Sequence, residues 1–336
     1  MIIESNFKPA WWLKNPHLQT ILPRIYRKRS VIYTLNEPFE LQDGDFVQLN
    51  WTEKPQNDSN QPIVLLLHGL GGSIDSFYAS GMMKAIVKQG WIGVLMHFRG
   101  CGETTNRHAQ AYHSGATADA SEFLDWLKAT YPNRPIAAIG FSLGGNVLAK
   151  YLGEQGSNSP LDAAVVISAP LNLAPCATRL SNSFSRVYQK YLLDKLKASI
   201  IEKLNYLKGK FPINITISEI KAIKTLREFD DKITGPLHGF IDADDYYTRC
   251  SGLPFLKHVA TNTLIIHAAD DPFMTHQVHP QPQDLSSKVR YELSSGGGHV
   301  GFLTGKNPLK PHFWLEQRAP EFIKQQFKNL NSEQKP

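Results

Sequence analysis

The chain has 336 residues, with 36 lysines and arginines, 30 aspartates and glutamates, and 42% apolar residues. This length and composition are typical of one large globular α/β domain or of two ordinary ones, and they exclude a wholly disordered chain. The longest clean apolar run, residues 63–67, is far too short to cross a bilayer, and the polar start of the chain does not resemble a secretory signal. Three widely spaced cysteines make a disulfide framework improbable, so we expect a cytoplasmic protein.

Short extended segments open the chain, and more apolar strands follow. We predict strands at residues 31–35 and 46–51, with a turn at residues 43–44 between them. Continuous apolar runs further along the chain are typical of strands that are buried on both faces. These runs are residues 63–67, 91–96, 136–141, 163–169 and 263–268, and a more polar run at 289–293 follows them.

Helical patterns lie between these strands. They cover residues 76–90, 117–131 and 144–156, and Gly90 is a suitable residue to end the first of them. Strands and helices that alternate in this way predict a mostly parallel sheet with helices on both of its faces.

One long interval interrupts the alternation. More than ninety residues separate the strand that ends near Ala169 from the strand that begins near Thr263. Helical patterns at 188–209 and 218–229 occupy much of it, the second with Ser218 as its N-cap. An insertion that leaves the carboxyl edge of a parallel sheet lies over the site there and can act as a lid. We therefore predict an N-terminal arm with the first strands (1–60), a core (61–170 and 256–330) and a helical cap inserted into the same domain (171–255).

The basic residues are concentrated in this interval. Residues 175–232 hold 12 lysines and arginines against 6 acidic residues, so this segment alone accounts for the net charge of +6. Such a segment is either a solvated helical face or a surface that attracts phosphate groups or an anionic membrane. No nucleic-acid-binding signature accompanies it, and we expect no nucleic-acid partner.

A G-x-S-x-G pentapeptide, residues 140–144, stands between a predicted strand and a predicted helix. In that context the pattern indicates a nucleophile elbow, a strained turn that exposes the serine hydroxyl above the sheet. The glycines are needed because side chains would clash where the strand turns so tightly into the helix. Ser142 is therefore the candidate nucleophile, and the helix N-terminus beside it favours negative charge.

A second glycine-rich motif, His68-Gly69-Leu70-Gly71-Gly72, follows the first buried strand. A loop of this kind can point backbone N–H groups into the site, and we expect the amides of Leu70 and Leu143 to form an oxyanion hole. The motif lacks the spacing of dinucleotide-binding and P-loop sequences. We expect His68 to orient the loop rather than to take part in the chemistry.

The base and its acidic partner should follow Ser142 in the order acid, then histidine. Asp270 and Asp271 come directly after one predicted strand, and His299 comes after the last one. His299 is the candidate base, and one of the two aspartates would fix its tautomer. We favour Asp271, with Asp270 as the alternative.

Further motifs recur along nearly the whole chain. Together with those above they are NPHLQTILP (15–23), HGLGG (68–72), FRGCGE (98–103), YHSG (112–115), GFSLGGN (140–146), FDDKITGPLHGF (229–240), YY (246–247), ADDPF (269–273) and GGHVGF (297–302). In these motifs the sequence resembles the YheT-like esterases of the α/β-hydrolase superfamily, whose relatives include animal lipid hydrolases and yeast ethyl-ester synthases and esterases. The sequence departs from the family pattern at residues 104–107, TTNR, where EPNR-like residues are expected.

The resemblance implies an α/β-hydrolase fold, an eight-stranded mostly parallel sheet, a helical cap and serine-esterase chemistry without a cofactor. Carried over residue by residue, the catalytic triad falls on Ser142, His299 and either Asp271 or Asp270. His276 and His279 are spaced like metal ligands, but such a pair in a loop is weak evidence, and we expect no metal. The 15–23 motif is expected in an arm packed on the domain, with an acyl groove as the alternative.

We therefore expect a carboxylic-ester hydrolase that works through an acyl-enzyme. The predicted cap is rich in Leu, Ile, Phe and Tyr, which can line an apolar pocket, so short- to medium-chain acyl esters are the favoured substrates. An acyltransferase, with an alcohol in place of water, would use the same machinery. A phospholipid hydrolase in weak peripheral contact with an anionic membrane is another alternative. The intact candidate residues disfavour a non-catalytic binding protein.

Overall fold

The computed structural model describes residues 1–27, 34–56 and 59–333. Nine strands form its main sheet, and two short antiparallel strands form a separate pair. The main strands are β1 (Ile2–Glu4), β2 (Leu35–Glu40), β3 (Phe46–Trp51), β4 (Ile63–Leu67), β5 (Ile92–His97), β6 (Ile136–Phe141), β7 (Ala163–Ile167), β8 (Asn262–Ala268) and β9 (Val289–Ser294). The separate pair consists of β10 (Leu303–Thr304) and β11 (His312–Phe313).

The order of strands across the main sheet is β1-β9-β8-β7-β6-β4-β5-β3-β2. In this order, the seven strands that begin with β1 and end with β5 are all parallel to their neighbours. Beyond β5, β3 pairs antiparallel with β5, and β2 pairs antiparallel with β3. The predicted mostly parallel sheet is therefore confirmed. It has nine strands rather than the eight that the resemblance implied, since β1 adds to the edge beside β9. Of the strand predicted at 31–35, residues 31–33 lie outside the described residues, and β2 begins at Leu35.

Helices cover both faces of the sheet, which is why every residue of β4 to β7 is buried. α3 and α4 pack on one face, and α2 and α11 pack on the other. Within the described residues, no helix has both the length and the apolar character that a membrane crossing requires. The helices are α1 (Pro16–Tyr26), α2 (Phe77–Lys88), α3 (Ala118–Thr130), α4 (Leu143–Gln155), α5 (Leu173–Leu180), α6 (Ser185–Leu207), α7 (Ile217–Ala222), α8 (Leu226–Phe229), α9 (Gly235–His238), α10 (Ala243–Cys250) and α11 (Leu315–Glu333).

The first helix, α1, was not predicted from the sequence. The side chain of Asn15 caps its N-terminus, and Pro16 occupies its first position, where the missing N–H costs nothing. Pro23 lies inside the helix. Since a proline in a helix interior is unfavourable, the sequence does not indicate a helix there. The buried Gln19 side chain donates to the carbonyl of Leu303 (2.9 Å) and accepts from its N–H (2.8 Å). These bonds fix α1 against the segment that follows His299.

Helices α5 to α10 lie between β7 and β8. The single helix predicted at 218–229 is wrong: α7 and α8 are separate, because Ile223 is extended and Thr225 caps α8. Thr216, not Ser218, caps α7, since its side chain accepts the N–H of Glu219 while the Glu219 carboxylate accepts the N–H of Thr216. The division of the chain into arm, core and cap stays a prediction.

Candidate active site

Ser142 stands at the sharp turn between β6 and α4, with the unusual backbone angles φ 52° and ψ −119°. A Cβ atom at Gly140 would lie 2.5 Å from the carbonyl oxygen of Gly144, and one at Gly144 would lie 2.4 Å from that of His68. Only glycine fits at these two positions, for the steric reason that the motif suggested. The turn lifts the Ser142 hydroxyl to the carboxyl edge of the sheet.

The structure brings Ser142, His299 and Asp271 together in one chain of hydrogen bonds. The Nε2 atom of His299 lies 2.9 Å from the Oγ atom of Ser142, and its Nδ1 atom lies 2.8 Å from a carboxylate oxygen of Asp271. The other oxygen of Asp271 accepts the N–H of Phe273 at 2.8 Å, which fixes the carboxylate. This is the geometry of a serine, a base and the acid that orients it.

Asp270 points elsewhere. Its carboxylate accepts the N–H of Gly298 at 2.9 Å and so braces the loop that carries His299. Burial raises the pKa of Asp270. Of the two aspartates left open by the sequence, Asp271 is therefore the one in contact with the imidazole.

Two further residues hold His299, and neither was predicted from the sequence. Its backbone N–H donates to the Thr20 hydroxyl of α1 at 3.0 Å. Phe273 stacks on its ring, with centroids 3.9 Å apart and planes 6° apart, and Tyr188 of α6 packs against Phe273 at 4.8 Å. Thr20 and Phe273 both lie in motifs shared with the family, but a motif does not say which ring or amide a side chain will touch.

Tyrosine hydroxyls support the glycine-rich loop on both sides of Leu70. The N–H of Gly69 donates to the hydroxyl of Tyr78, and the N–H of Gly71 donates to that of Tyr112, each at 2.7 Å. The amide between them, that of Leu70, has no acceptor among the described residues. Of these three amides, only that of Leu70, the candidate oxyanion donor, is without an acceptor in the described structure.

The second candidate donor is the amide of Leu143, the first residue of α4. It likewise has no acceptor in the described part of the chain, as expected at a helix N-terminus. A Cβ atom at Gly69 would lie 3.2 Å from the Cβ of Ser142, so the loop lies directly beside the serine. Leu70 and Leu143 both border the cavity that Ser142 faces. Their role as oxyanion donors stays a prediction.

His68 is fully buried behind this loop. Its Nδ1–H donates to the carbonyl of Gly69 at 2.7 Å, and its Nε2 accepts the N–H of Phe98 at 3.1 Å. Burial lowers the pKa of His68 to about 3, so the ring is neutral. The structure thus places His68 in the support of the loop and outside the chain of hydrogen bonds at Ser142.

The two histidines that were weighed as metal ligands do not converge. His276 is exposed, whereas His279 is partly buried and contacts the hydroxyl of Tyr291. No group of three or more His, Cys, Asp or Glu side chains surrounds a common point in residues 1–27, 34–56 and 59–333.

A cavity of about 400 Å³ opens above Ser142 and His299. Side chains of α5 and α6, most of them apolar, form one part of its wall, and α1 contributes Thr20, Ile21 and Arg24. The helix of the 15–23 motif therefore packs on the domain and also lines the cavity. That this cavity is an acyl groove stays a prediction.

The segment between β7 and β8 also places a carboxyl group, that of Asp230, at the cavity wall. It lies in a π-helical turn between α8 and α9, and the hydroxyls of Tyr247 and Thr234 each donate to it at 2.7 Å. Burial raises the pKa of Asp230 to about 7. Asp230 was not predicted as a site residue from the sequence, although the shared motif at 229–240 contains it.

Comparison with known proteins agrees with this fold. A family model described as alpha/beta hydrolase fold matches residues 62–306, which include all of the candidate site residues. "Putative esterase YheT" of Escherichia coli (strain K12) is 48% identical over 319 residues, covering 95% of this chain and 93% of that protein. "Phospholipase ABHD3" of Homo sapiens is 28% identical over 328 residues, covering 96% of this chain and 79% of that protein.

A solved structure repeats the architecture at low sequence similarity. The Pyrococcus furiosus esterase Pf2001 matches with a TM-score of 0.54 and 15% identity, over 97% of this chain and 98% of that one. The resemblance to the YheT-like esterases is confirmed by the E. coli relative. Fold, family model and relatives agree, and the chain belongs to the α/β-hydrolase family.

Proposed function

We propose that the protein is a serine carboxylic-ester hydrolase that acts on short- to medium-chain acyl esters through an acyl-enzyme. The observation that carries the proposal is the chain of hydrogen bonds from Ser142 through His299 to Asp271, placed at the floor of a largely apolar cavity. The family and the esterase named among the relatives support the same class of reaction.

In the proposed mechanism the Oγ atom of Ser142 attacks the ester carbonyl while Nε2 of His299 takes its proton. Asp271 holds the Nδ1–H tautomer and stabilises the imidazolium that forms. The N–H groups of Leu70 and Leu143 donate to the oxyanion, each lowering the barrier by about 3 kcal/mol. His299 then protonates the departing alcohol, and a water activated by His299 releases the acid from Ser142.

The cavity supports an acyl chain of limited length as the group bound. Its volume of about 400 Å³ is near the lower end of the roughly 300–1,000 Å³ that is usual for ligand pockets. Leu173, Leu180, Leu192 and Leu196 give it an apolar wall, which favours burial of methylene groups. None of the proposed steps uses a cofactor or a metal, and three free cysteines support a reducing, cytoplasmic setting.

A phospholipid hydrolase is the second candidate. Phospholipase is the name of the human relative, and Arg24 and Lys195 stand at the cavity wall, where a phosphate could meet them. An alcohol that enters in place of water would instead make the enzyme an acyltransferase, by way of the same acyl-enzyme.

The test is fluorophosphonate labelling of the wild type and of Ser142→Ala, beside p-nitrophenyl esters from acetate to laurate. We expect the wild type to label, Ser142→Ala not to label, and hydrolysis to peak at an intermediate chain length. Ser76→Ala, which removes another serine of the same cavity, should still label.

A Ser142→Ala protein that kept its hydrolytic rate would overturn the proposal. Ethyl ester formed on addition of ethanol would show acyl transfer, and fatty acid released from phosphatidylcholine would favour the phospholipid candidate.

A further inference from the structure

Exposed apolar side chains of α1 and of the start of α6 lie beside the cavity. We call this cluster the rim; it consists of Leu18 and Ile25 on α1, and of Phe184, Val187 and Tyr191 at the start of α6. Ile25 is 69% exposed, Val187 56% and Phe184 50%. Val187 and Tyr191 also line the cavity, so the rim is continuous with the cavity wall. Apolar side chains grouped on a surface in this way mark an interaction site.

Contacts between α1 and α6 make the rim one surface. The ring of His17 contacts that of Phe184 at 4.5 Å, and its Nδ1 atom lies 3.0 Å from the Tyr188 hydroxyl. Arg24 donates to the Tyr191 hydroxyl at 2.6 Å. Along each helix the rim residues recur at the spacing of a single face, seven apart on α1 and three to four apart on α6.

Positive charge accompanies the apolar side chains. Arg24 and Lys195 flank the ring of Tyr191, 4.8 and 5.2 Å from its centroid. In the described structure their hydrogen bonds go to uncharged oxygens, the Tyr191 hydroxyl and the Gly71 carbonyl, so neither charge is neutralised by these contacts. α6 as a whole carries five lysines and arginines against two acidic residues.

We propose that the rim docks on an anionic lipid surface and turns the mouth of the cavity toward the acyl chains. Apolar side chains flanked by cations are the composition that binds at the boundary between headgroups and acyl chains. The cations select anionic lipids, because the negative surface potential attracts them. The basic segment at 175–232 suggested a membrane contact only in general terms; α1 and the start of α6 give that contact a location. Docking goes beyond ester hydrolysis, and it needs no turnover.

The test measures co-sedimentation of the Ser142→Ala protein with vesicles, so binding is separated from hydrolysis. We expect it to bind vesicles that contain phosphatidylglycerol and to bind pure phosphatidylcholine vesicles at least tenfold less. Adding Ile25→Ser and Phe184→Ser should weaken binding to the anionic vesicles by tenfold or more, since apolar area drives insertion.

Val87→Ser is the matched apolar control. Val87 is 48% exposed and lies near the end of α2, which runs from the carboxyl edge of the sheet, where the cavity lies, to the amino edge. This variant should bind as the parent does. Thermal melts of all variants should coincide, because the side chains concerned are exposed.

Substitutions of charged residues separate the electrostatic contribution to binding from the apolar one. Arg24→Gln and Lys195→Gln should each weaken binding about fivefold, which corresponds to about 1 kcal/mol per cation at an anionic surface. Lys88→Gln, at the far end of α2, should leave the binding constant unchanged. Raising the salt concentration should weaken binding of the parent, and should do so less for Lys195→Gln.

Three outcomes would overturn the proposal. The first is no binding to anionic vesicles, and the second is equal binding by the Ile25→Ser/Phe184→Ser protein and its parent. The third comes from sedimentation velocity: a dimer of the parent that this pair of substitutions dissociates would mean that a second copy of the chain covers the rim.

Discussion

Asp270 and Asp271 are neighbours with the same side chain, yet they contact different atoms of the loop that carries His299. Asp271 accepts from the imidazole, while Asp270 accepts from the backbone of Gly298. The difference follows from the direction in which each side chain leaves the end of β8. Chemically identical residues therefore receive different roles, one at the ring and one at the backbone.

The two aspartates give a matched pair of variants. Asp271→Asn should lower kcat for a p-nitrophenyl ester by roughly 10³- to 10⁴-fold, because the amide favours the wrong imidazole tautomer. Asp270→Asn keeps an oxygen that can accept the N–H of Gly298, so its kcat should stay within about tenfold of the wild type. Equal losses in the two variants, measured at saturating ester, would contradict the assignment of Asp271.

At the scale of elements, α1 joins parts of the molecule that are remote in sequence. Gln19 binds the backbone of Leu303, Thr20 accepts the N–H of His299, and His17 contacts α6. The helix therefore contacts both the loop of the candidate base and α6. The segment predicted as an arm therefore holds the loop of His299 in place beside α6.

This role of α1 can be tested at Gln19, which is fully buried. Gln19→Leu keeps the bulk but leaves the carbonyl of Leu13 and the N–H of Leu303 without their partners. We expect the free energy of unfolding to fall by about 3 kcal/mol, measured by urea denaturation. The converse change at the preceding position, Leu18→Gln, affects a side chain that is 45% exposed. It should alter the free energy of unfolding by less than about 0.5 kcal/mol.

At the scale of the whole molecule, the sequence predicts the centre of the sheet better than its edge. The runs that became β4 to β8 were placed within about two residues, because strands buried on both faces are continuously apolar. β1 has only three residues, which carry no periodicity, and it exists through pairing with β9. α1 contains Pro23, and its stability comes from tertiary contacts that no local pattern reveals.

The site follows the same division. Ser142 and His299 could be located because parallel strands end at one edge of a sheet, which brings the residues that follow them together. The choice between Asp270 and Asp271 depends on side-chain direction, which adjacency in sequence does not determine. Thr20 lies 279 residues from His299 along the chain, so only the folded molecule shows that contact.

Buried histidines make the stability of the molecule depend on pH. Burial lowers the pKa of six of them, to about 3 for His68, His113 and His267 and to about 4 for His238. Three buried carboxyls, those of Asp162, Asp230 and Asp270, shift in the opposite sense. Each such histidine binds a proton on unfolding below its ordinary pKa of 6.5, whereas each such carboxyl releases one above its ordinary pKa of 3.8.

Since the histidines outnumber the carboxyls, the free energy of unfolding should rise between about pH 4 and pH 6.5. Urea denaturation at a series of pH values measures the slope. His238→Asn should make it shallower, and Asp230→Asn should make it steeper over the same range. A wild-type stability that is flat or falls with pH in this range would contradict the expectation.

The pairing of β1 with β9, and of α1 with the residues after it, has a consequence for synthesis on the ribosome. The chain emerges from its N-terminus, so residues 2–26 exist long before residues 289–303, to which they bind. At about 5–20 residues per second, that delay is roughly 15 to 60 s. Ser142 precedes His299 by 157 residues. A nascent chain can therefore hold a nearly complete sheet, with the nucleophile in place, before the base has been made.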